Sequence, residues 1–181
     1  MVSKRLIVII FCVFAGYSTF SQGKPSVKIG SGLVHIGSRY GLGSNSDLIF
    51  PIRKNFSYGL NIGYAMASDK KIITNKAGAF SQSSIFAGNF ELYYHPEVVD
   101  KVELLMFGGG GVRHFNSTQI LVNSNLELLP YNDYSTGLGF NAGLGADYNI
   151  STKYALGIRY LHDFYKEGFD YFGISFGIVI E

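Results

Sequence analysis

Five charged residues, Glu91, Glu103, Arg113, Asp147 and Arg159, fall on one parity of a two-residue period, together with Asn61, Asn89 and Asn141. Side chains of one parity share one face of a strand. Charges on an enclosed face need partners, because burying an unpaired charge is costly. Counting from the nearest short turns sets Glu91 and Glu103 opposite one another on adjacent strands. Arg159 stands across from them and is expected to neutralise one or both carboxylates. Such a cluster can act as an ion-paired plug, a gated ion path or an acid–base site. The plug needs no further group and is the reading carried forward.

Other candidates for chemistry are weaker. The histidines, His35, His95, His114 and His162, are scattered without metal-ligand spacing, so neither a metal nor a cofactor is expected. The run from Gly108 to Gly111 has no Gly-Lys-Ser/Thr ending and precedes no helix, so it lacks the means to cradle a phosphate. Close packing of a strand is its expected role. Gly137 and Gly139 likewise fail the dinucleotide spacing. His162 and Asp163 could join Glu167 or Asp170 in a hydrolytic triad, which is defined by geometry rather than chain order. Phe164, however, stands where a His-x-Ser pattern would put the serine. No catalytic residue is assigned.

The elements that position these residues are strands. Within residues 58–66, Tyr58, Leu60, Ile62, Tyr64 and Met66 alternate with Gly59, Asn61, Gly63 and Ala65. Residues 138–148, 154–160 and 172–180 alternate in the same way, and period two means strand. Residues 84–94 and 102–115 add two more. The first pair is less regular: residues 27–36 lose parity midway, as at a bulge, and 47–53 contain Pro51, which suits a strand edge or bulge. With that pair the strands number eight, without it six. Short turns are expected near 54–55, 95–100 and 149–152. Longer polar loops are expected at 67–83, 116–135 and 163–170. Short turns on one rim and long loops on the other are the habit of outer-membrane barrels.

Composition agrees. The 181 residues include 23 Gly, 13 Tyr and 15 Phe but only 15% charged residues, against about 25% in ordinary soluble domains. Lys4 and Arg5 followed by the apolar run 6–14 read as an export signal over residues 1–21, cleaved before Gln22 and too short to span a membrane. The remaining domain, 22–181, then has no cysteine, since Cys12 leaves with the signal. It is also near neutral, because two of the 15 basic residues leave and none of the 13 acidic ones does. No clustered basic face points to nucleic acid.

Alternation alone also fits a soluble barrel, so the weaker face decides. Here that face is Gly, Ala, Ser and Asn with a few charges. It is a poor water-facing exterior but a good lining for an eight-stranded lumen with room only for side chains. The bulky Tyr, Phe, Leu and Ile face then meets lipid. Aromatics near strand ends, Phe56, Tyr58, Tyr94, Phe115, Tyr148, Tyr154, Phe164, Tyr165, Phe169 and Phe172, are expected to form interfacial girdles. The fold expected is an all-β, eight-stranded antiparallel up-and-down transmembrane β-barrel with a polar, filled lumen.

Residues 57–64 (Ser-Tyr-Gly-Leu-Asn-Ile-Gly-Tyr), 137–148 and 171–180 resemble the OmpA/OmpX-like barrels of the porin-family, outer membrane protein beta-barrel domain group. The resemblance covers roughly residues 26–180. It implies residence in a bacterial outer membrane, contact with outer-membrane lipid and lipopolysaccharide, and assembly by the barrel-insertion machinery. It implies a structural or surface-interaction role without a wide pore, with an extracellular ligand at the long loops as a possible partner. The loop 116–135, with Ile120, Leu121, Val122 and the run 126–129, is the best place for one, unless these residues extend the strands above the membrane. A narrow channel and a lipid-A-modifying barrel enzyme are the alternatives. One departure is the ending in Ile180 and Glu181, where many such barrels close on an aromatic residue.

Overall fold

The computed structural model describes residues 24–73, 77–122, 128–166 and 168–180. The expected export signal therefore lies outside the described residues. The strands are β1 (Ser26–Ile36), β2 (Arg39–Arg53), β3 (Phe56–Ile73), β4 (Ala77–Tyr94), β5 (Glu97–Val99), β6 (Val102–Val122), β7 (Leu128–Asn149), β8 (Tyr154–Asp163) and β9 (Phe169–Val179). All pairings are antiparallel, and β1 pairs with β9 while β4 pairs with β6. Leaving aside the three-residue β5, eight strands close into a ring. Closure matters because hydrocarbon offers the backbone no other hydrogen-bonding partner.

The bulky parity faces outward. Leu60, Ile62, Phe176 and Ile178 are 44, 56, 41 and 43% exposed, which excludes an enclosed greasy cavity and hence a soluble carrier barrel. Aromatic rings stack across neighbouring strands near the turn-side rim, as in Phe50–Tyr58 and Tyr58–Phe90 with centroids 5.2 and 5.9 Å apart. Phe115 and Phe169, expected in a girdle, are buried in the lumen, and Tyr165 packs against the same inner cluster. Nearness to a strand end sets a residue's height but not its face.

The first hairpin is fully formed. β1 keeps one register with β2 and with β9 throughout, with no bulge. Its parity looks broken in sequence because Val34 and Ile36 are apolar residues on the inward face, where they are almost completely buried. The irregularity lies instead in β2, where register shifts between Pro51 and Arg53. Pro96 misleads in a similar way. It interrupts the ladder after β4, but the chain resumes as β5 and turns at Asp100 and Lys101, where Lys101 takes a left-handed φ of 68°. The real turn is three residues later than a turn centred on 97, so every partner of β4 shifts by six. Glu91 faces Gly109, and Glu103 faces Glu97.

Two expected loops are largely strands. Segments 67–83 and 116–135 carry β3 into β4 and β6 into β7 well past the rest of the wall. Their polar side chains hide the alternation, yet the ladder continues from Ala79↔Leu121 and from Val122↔Leu128. β1, β8 and β9 have 11, 10 and 11 residues, the length a tilted strand needs to cross a bilayer. β6 and β7 have 21 and 22 and stand about ten residues above the short wall.

The four-glycine run lies in β6 against β4. A Cβ on Gly111 would lie 1.9 Å from the Gly88 carbonyl oxygen, and one on Gly109 would lie 2.1 Å from that of Phe90. Backbone cannot yield by that much locally. Gly111→Val should therefore abolish the compact, heat-modifiable form that a closed barrel shows on unboiled SDS gels. Wild-type-like mobility of the variant would refute this packing.

Candidate functional site in the barrel lumen

Inward residues form layers. Val34, Ile36, Ala65, Ala67, Ile85, Phe115, Leu161 and Phe169 fill the loop-side end, while Ile49, Leu105 and Phe107 lie toward the turn-side end. Between them sits a polar network that links six strands. Arg159 Nη1 donates to Asp47 Oδ2 at 2.6 Å, and its guanidinium lies 4.2 Å from the Phe107 ring centroid. Asn61 Nδ2 donates to Asp47 Oδ1 at 2.6 Å, and Asn89 Nδ2 donates to Asn61 Oδ1 at 3.0 Å. Arg113 donates through Nη1 to Asn89 and through Nε to Asp163 Oδ2, the latter at 2.6 Å. Glu91 accepts from Asn141 Nδ2 at 2.6 Å, and Tyr93 Oη lies 2.5 Å from its Oε2 and 3.2 Å from Asp47 Oδ1.

Six of the residues selected from sequence, Asn61, Asn89, Glu91, Arg113, Asn141 and Arg159, thus meet in one network. Glu103 and Asp147 stand apart from it. The six-residue shift in β4 partners separates Glu91 from Glu103, so Arg159 does not pair with Glu103. Glu103 lies at the turn-side mouth and accepts from Asn149 Nδ2 at 2.8 Å. Asp147, on the same rim, binds Lys28 Nζ. Arg159 pairs directly with Asp47, which sequence reading placed in a short, less regular strand, and its charge also acts on the Glu91 carboxylate, as expected. Tyr93 was not among the residues singled out from the sequence, and Asp163 was assigned to an outer-rim site. Extending strict parity through β2 and β8 would have put Asp47, Arg159 and Asp163 on one inward face.

The outer-rim candidate is real as a cluster but differs in kind. His162 Nδ1 and Tyr160 Oη lie 2.8 and 2.6 Å from Asp170 Oδ1, and His35 Nδ1 is 3.7 Å from Asp170 Oδ2. His162, Asp170 and His35 form a row on the outward face of β8, β9 and β1. Phe164 packs edge-on against His162. Among the described residues no serine hydroxyl contacts this imidazole, and Glu167 lies outside them. No group of His, Cys, Asp and Glu among the described residues is arranged to hold a metal ion.

The Arg159–Asp47 pair is almost fully buried on both sides. Removing one partner of such a pair costs about 3–5 kcal/mol, because the other charge is left uncompensated. Arg159→Met should lower unfolding stability in detergent by about that much. Adding Asp47→Leu should recover most of the loss. Equal destabilisation by the single and double variants would show that the two side chains act independently.

No protein-family model matches the chain, and no curated protein sequence matches it. Solved structures do resemble it. A major outer membrane protein from Thermus thermophilus matches with a TM-score of 0.62 and 13% identity over 86% of this chain and 99% of that one. Neisserial surface protein A matches with a TM-score of 0.51 and 9% identity over 86% and 96%. The outer membrane enzyme PagL matches at a TM-score of 0.44 and 18% identity over 86% and 99%. The first two likenesses show a shared fold, that of small outer-membrane β-barrels.

Proposed function

We propose that the protein is an integral outer-membrane barrel with a structural or surface-interaction role, exported with residues 1–21 as its cleaved signal. The observation that carries this reading is the unequal wall. The lumen is filled by apolar layers and the ionic network, so no wide pore runs through it. Above the short wall, β3, β4, β6 and β7 continue as a four-stranded sheet. Thirteen residues of β7, 128–140, extend beyond the last β8 pair at Asn141↔Asp163, about 40 Å along the strand.

That sheet offers a partner an unpaired edge. The Phe140 carbonyl accepts from Phe164 N at 2.9 Å, so the backbone groups of even-numbered β7 residues face the β8 side. Above Phe140 no strand among the described residues takes those of Asn132, Tyr134, Thr136 and Leu138. Pro130 has the same parity and turns its missing N–H to this edge, where proline is tolerated. An extracellular polypeptide could add a strand here, with affinity coming from main-chain hydrogen bonds. The outward belt of apolar and aromatic side chains contacts outer-membrane lipid and lipopolysaccharide, and the barrel-insertion machinery delivers the chain.

The lipid-modifying alternative has the His162–Asp170 contact in its favour and lacks the serine, so a non-enzymatic role at this outer cluster is the better supported one. Release of fatty acid from lipid A by the purified protein would reverse that preference.

Orientation is directly testable because the domain 22–181 contains no cysteine. Tyr134→Cys, on the tall sheet, should react with a membrane-impermeant maleimide in intact cells. Val98→Cys, on the opposite rim, should react only after lysis. The reverse pattern would invalidate the surface role. In planar bilayers the wild-type protein should show no large steady conductance.

A further inference from the structure

Three side chains that the lumen network leaves unused meet at the turn-side mouth. Ser57 comes from the start of β3, His95 from just beyond β4, and Glu103 from the start of β6. Ser57 Oγ lies 2.7 Å from His95 Nε2, and His95 Nδ1 lies 3.5 Å from Glu103 Oε2. The second oxygen of Glu103 accepts from Asn149 Nδ2 at 2.8 Å. The imidazole thus faces a hydroxyl with one nitrogen and a carboxylate with the other. This is the order needed for an alcohol nucleophile, its base and the acid that fixes the base.

The backbone holds these groups in place. His95 N donates to Asn55 O at 2.9 Å, which ties the imidazole to the β2–β3 turn beside Ser57. Pro96 follows at once and fixes its own φ, and its carbonyl accepts from Leu104 N at 3.1 Å, next to Glu103. Asn149 N donates to Lys101 O at 2.8 Å and brings its amide to the same carboxylate. Pro96, which delays the turn by three residues, is therefore also what brings His95 within reach of Glu103. The 3.5 Å separation is of the loose kind found in unliganded sites, which tighten on binding.

Ser57, His95 and Glu103 line one cavity of about 250 Å³ that opens at this mouth. That is below the 300–1,000 Å³ of sites for drug-sized ligands, so its substrate is small. Lys24, Lys28 and Lys153 line it with Asp147 and Glu103.

We propose that Ser57, His95 and Glu103 form a hydrolytic site for small carboxylic esters, open to the side of the membrane opposite the tall sheet. Ser57 Oγ attacks the ester carbonyl carbon while His95 Nε2 takes its proton. The tetrahedral adduct collapses by breaking the bond to the alkoxy oxygen. His95 gives the proton to that oxygen, and the alcohol leaves. Water then attacks the acyl-serine with His95 again accepting the proton. The carboxylic acid departs and Ser57 Oγ is reprotonated. One ester and one water become one acid and one alcohol. Ser57 and His95 are the catalytic residues, and Glu103 is a positioning residue.

The test uses the full-length barrel purified in detergent, with every variant checked for heat-modifiable mobility. A fluorophosphonate probe should form a covalent adduct that peptide mass spectrometry places on Ser57. The protein should also hydrolyse 4-nitrophenyl acetate. Ser57→Ala should remove both activities, and His95→Ala should lower the hydrolysis rate by about 10²–10⁴-fold. Glu103→Gln should keep the adduct and lower kcat while leaving KM unchanged. His162→Ala, on the outer cluster, should leave the rate unchanged. Absence of a Ser57 adduct on the folded wild-type barrel would overturn the proposal whatever the variants do. So would hydrolysis that persists in folded Ser57→Ala.

Discussion

Everything in this barrel depends on one requirement: a strand in hydrocarbon must give both rows of its backbone hydrogen bonds to other strands. A ring of eight meets it, and the ring imposes the rest. Once closed, each strand has an inside and an outside with no third choice, and the inside of eight strands has room only for side chains. The inner face therefore mixes sizes. Gly109 and Gly111 approach β4 so closely that even a methyl group would strike its backbone, while Arg113, Tyr93 and Phe115 in the same lumen are wholly buried. Small residues in one place make room for large ones in another.

Filling the lumen with charge carries an energetic penalty that an apolar filling would avoid, so its benefit lies elsewhere. A buried ion pair is weak evidence for stability but can specify one arrangement over another. In a barrel the competing arrangement is a one-residue slip, which turns every inward side chain out. A slip would put Arg113 and Arg159 on the lipid face, where such a charge costs about 2–4 kcal/mol at the midplane, and would strand Asp47 and Asp163. The amide bridge Asn61–Asn89 ties the two ion pairs together across β3 and β4. Each strand that contributes to the network is thereby checked against its neighbours.

How far this was readable from the residues follows from what a period of two can carry. Where a strand has apolar outer and small inner residues, as in β3, β8 and β9, alternation reveals both strand and face. It fails at Val34 and Ile36, where apolar groups face inward and erase the contrast. It fails again above the membrane, where polar and apolar residues no longer alternate along β4 and β6 and strand reads as loop. Turn position was the more damaging gap. Proline normally marks a break, and at Pro96 it does break the ladder, but the three-residue β5 follows before the chain reverses. The inward identities of Glu91, Arg113 and Arg159 survived this error because parity is local. The expected juxtaposition of Glu91 and Glu103 did not, because it depends on the turn.

The two walls show the same chain under two solvents. Below the last β8 pair, lipid dictates alternation, closure and strands of about ten residues. Above it, water can satisfy a bare edge, so β7 continues with no neighbour on one side. That freedom is also a liability, since an open edge is a template for unwanted pairing. Its handling is visible in residues 164–166. Phe164 caps the first open carbonyl, Tyr165 places its hydroxyl 3.0 Å from that of Ser135, and Lys166 reaches Asp133 at 3.2 Å. These contacts lean the β8–β9 connection on the base of the tall sheet and roof the lumen at the same point. Only the higher residues of β7 are left open, which confines strand addition to the part of the edge farthest from the membrane.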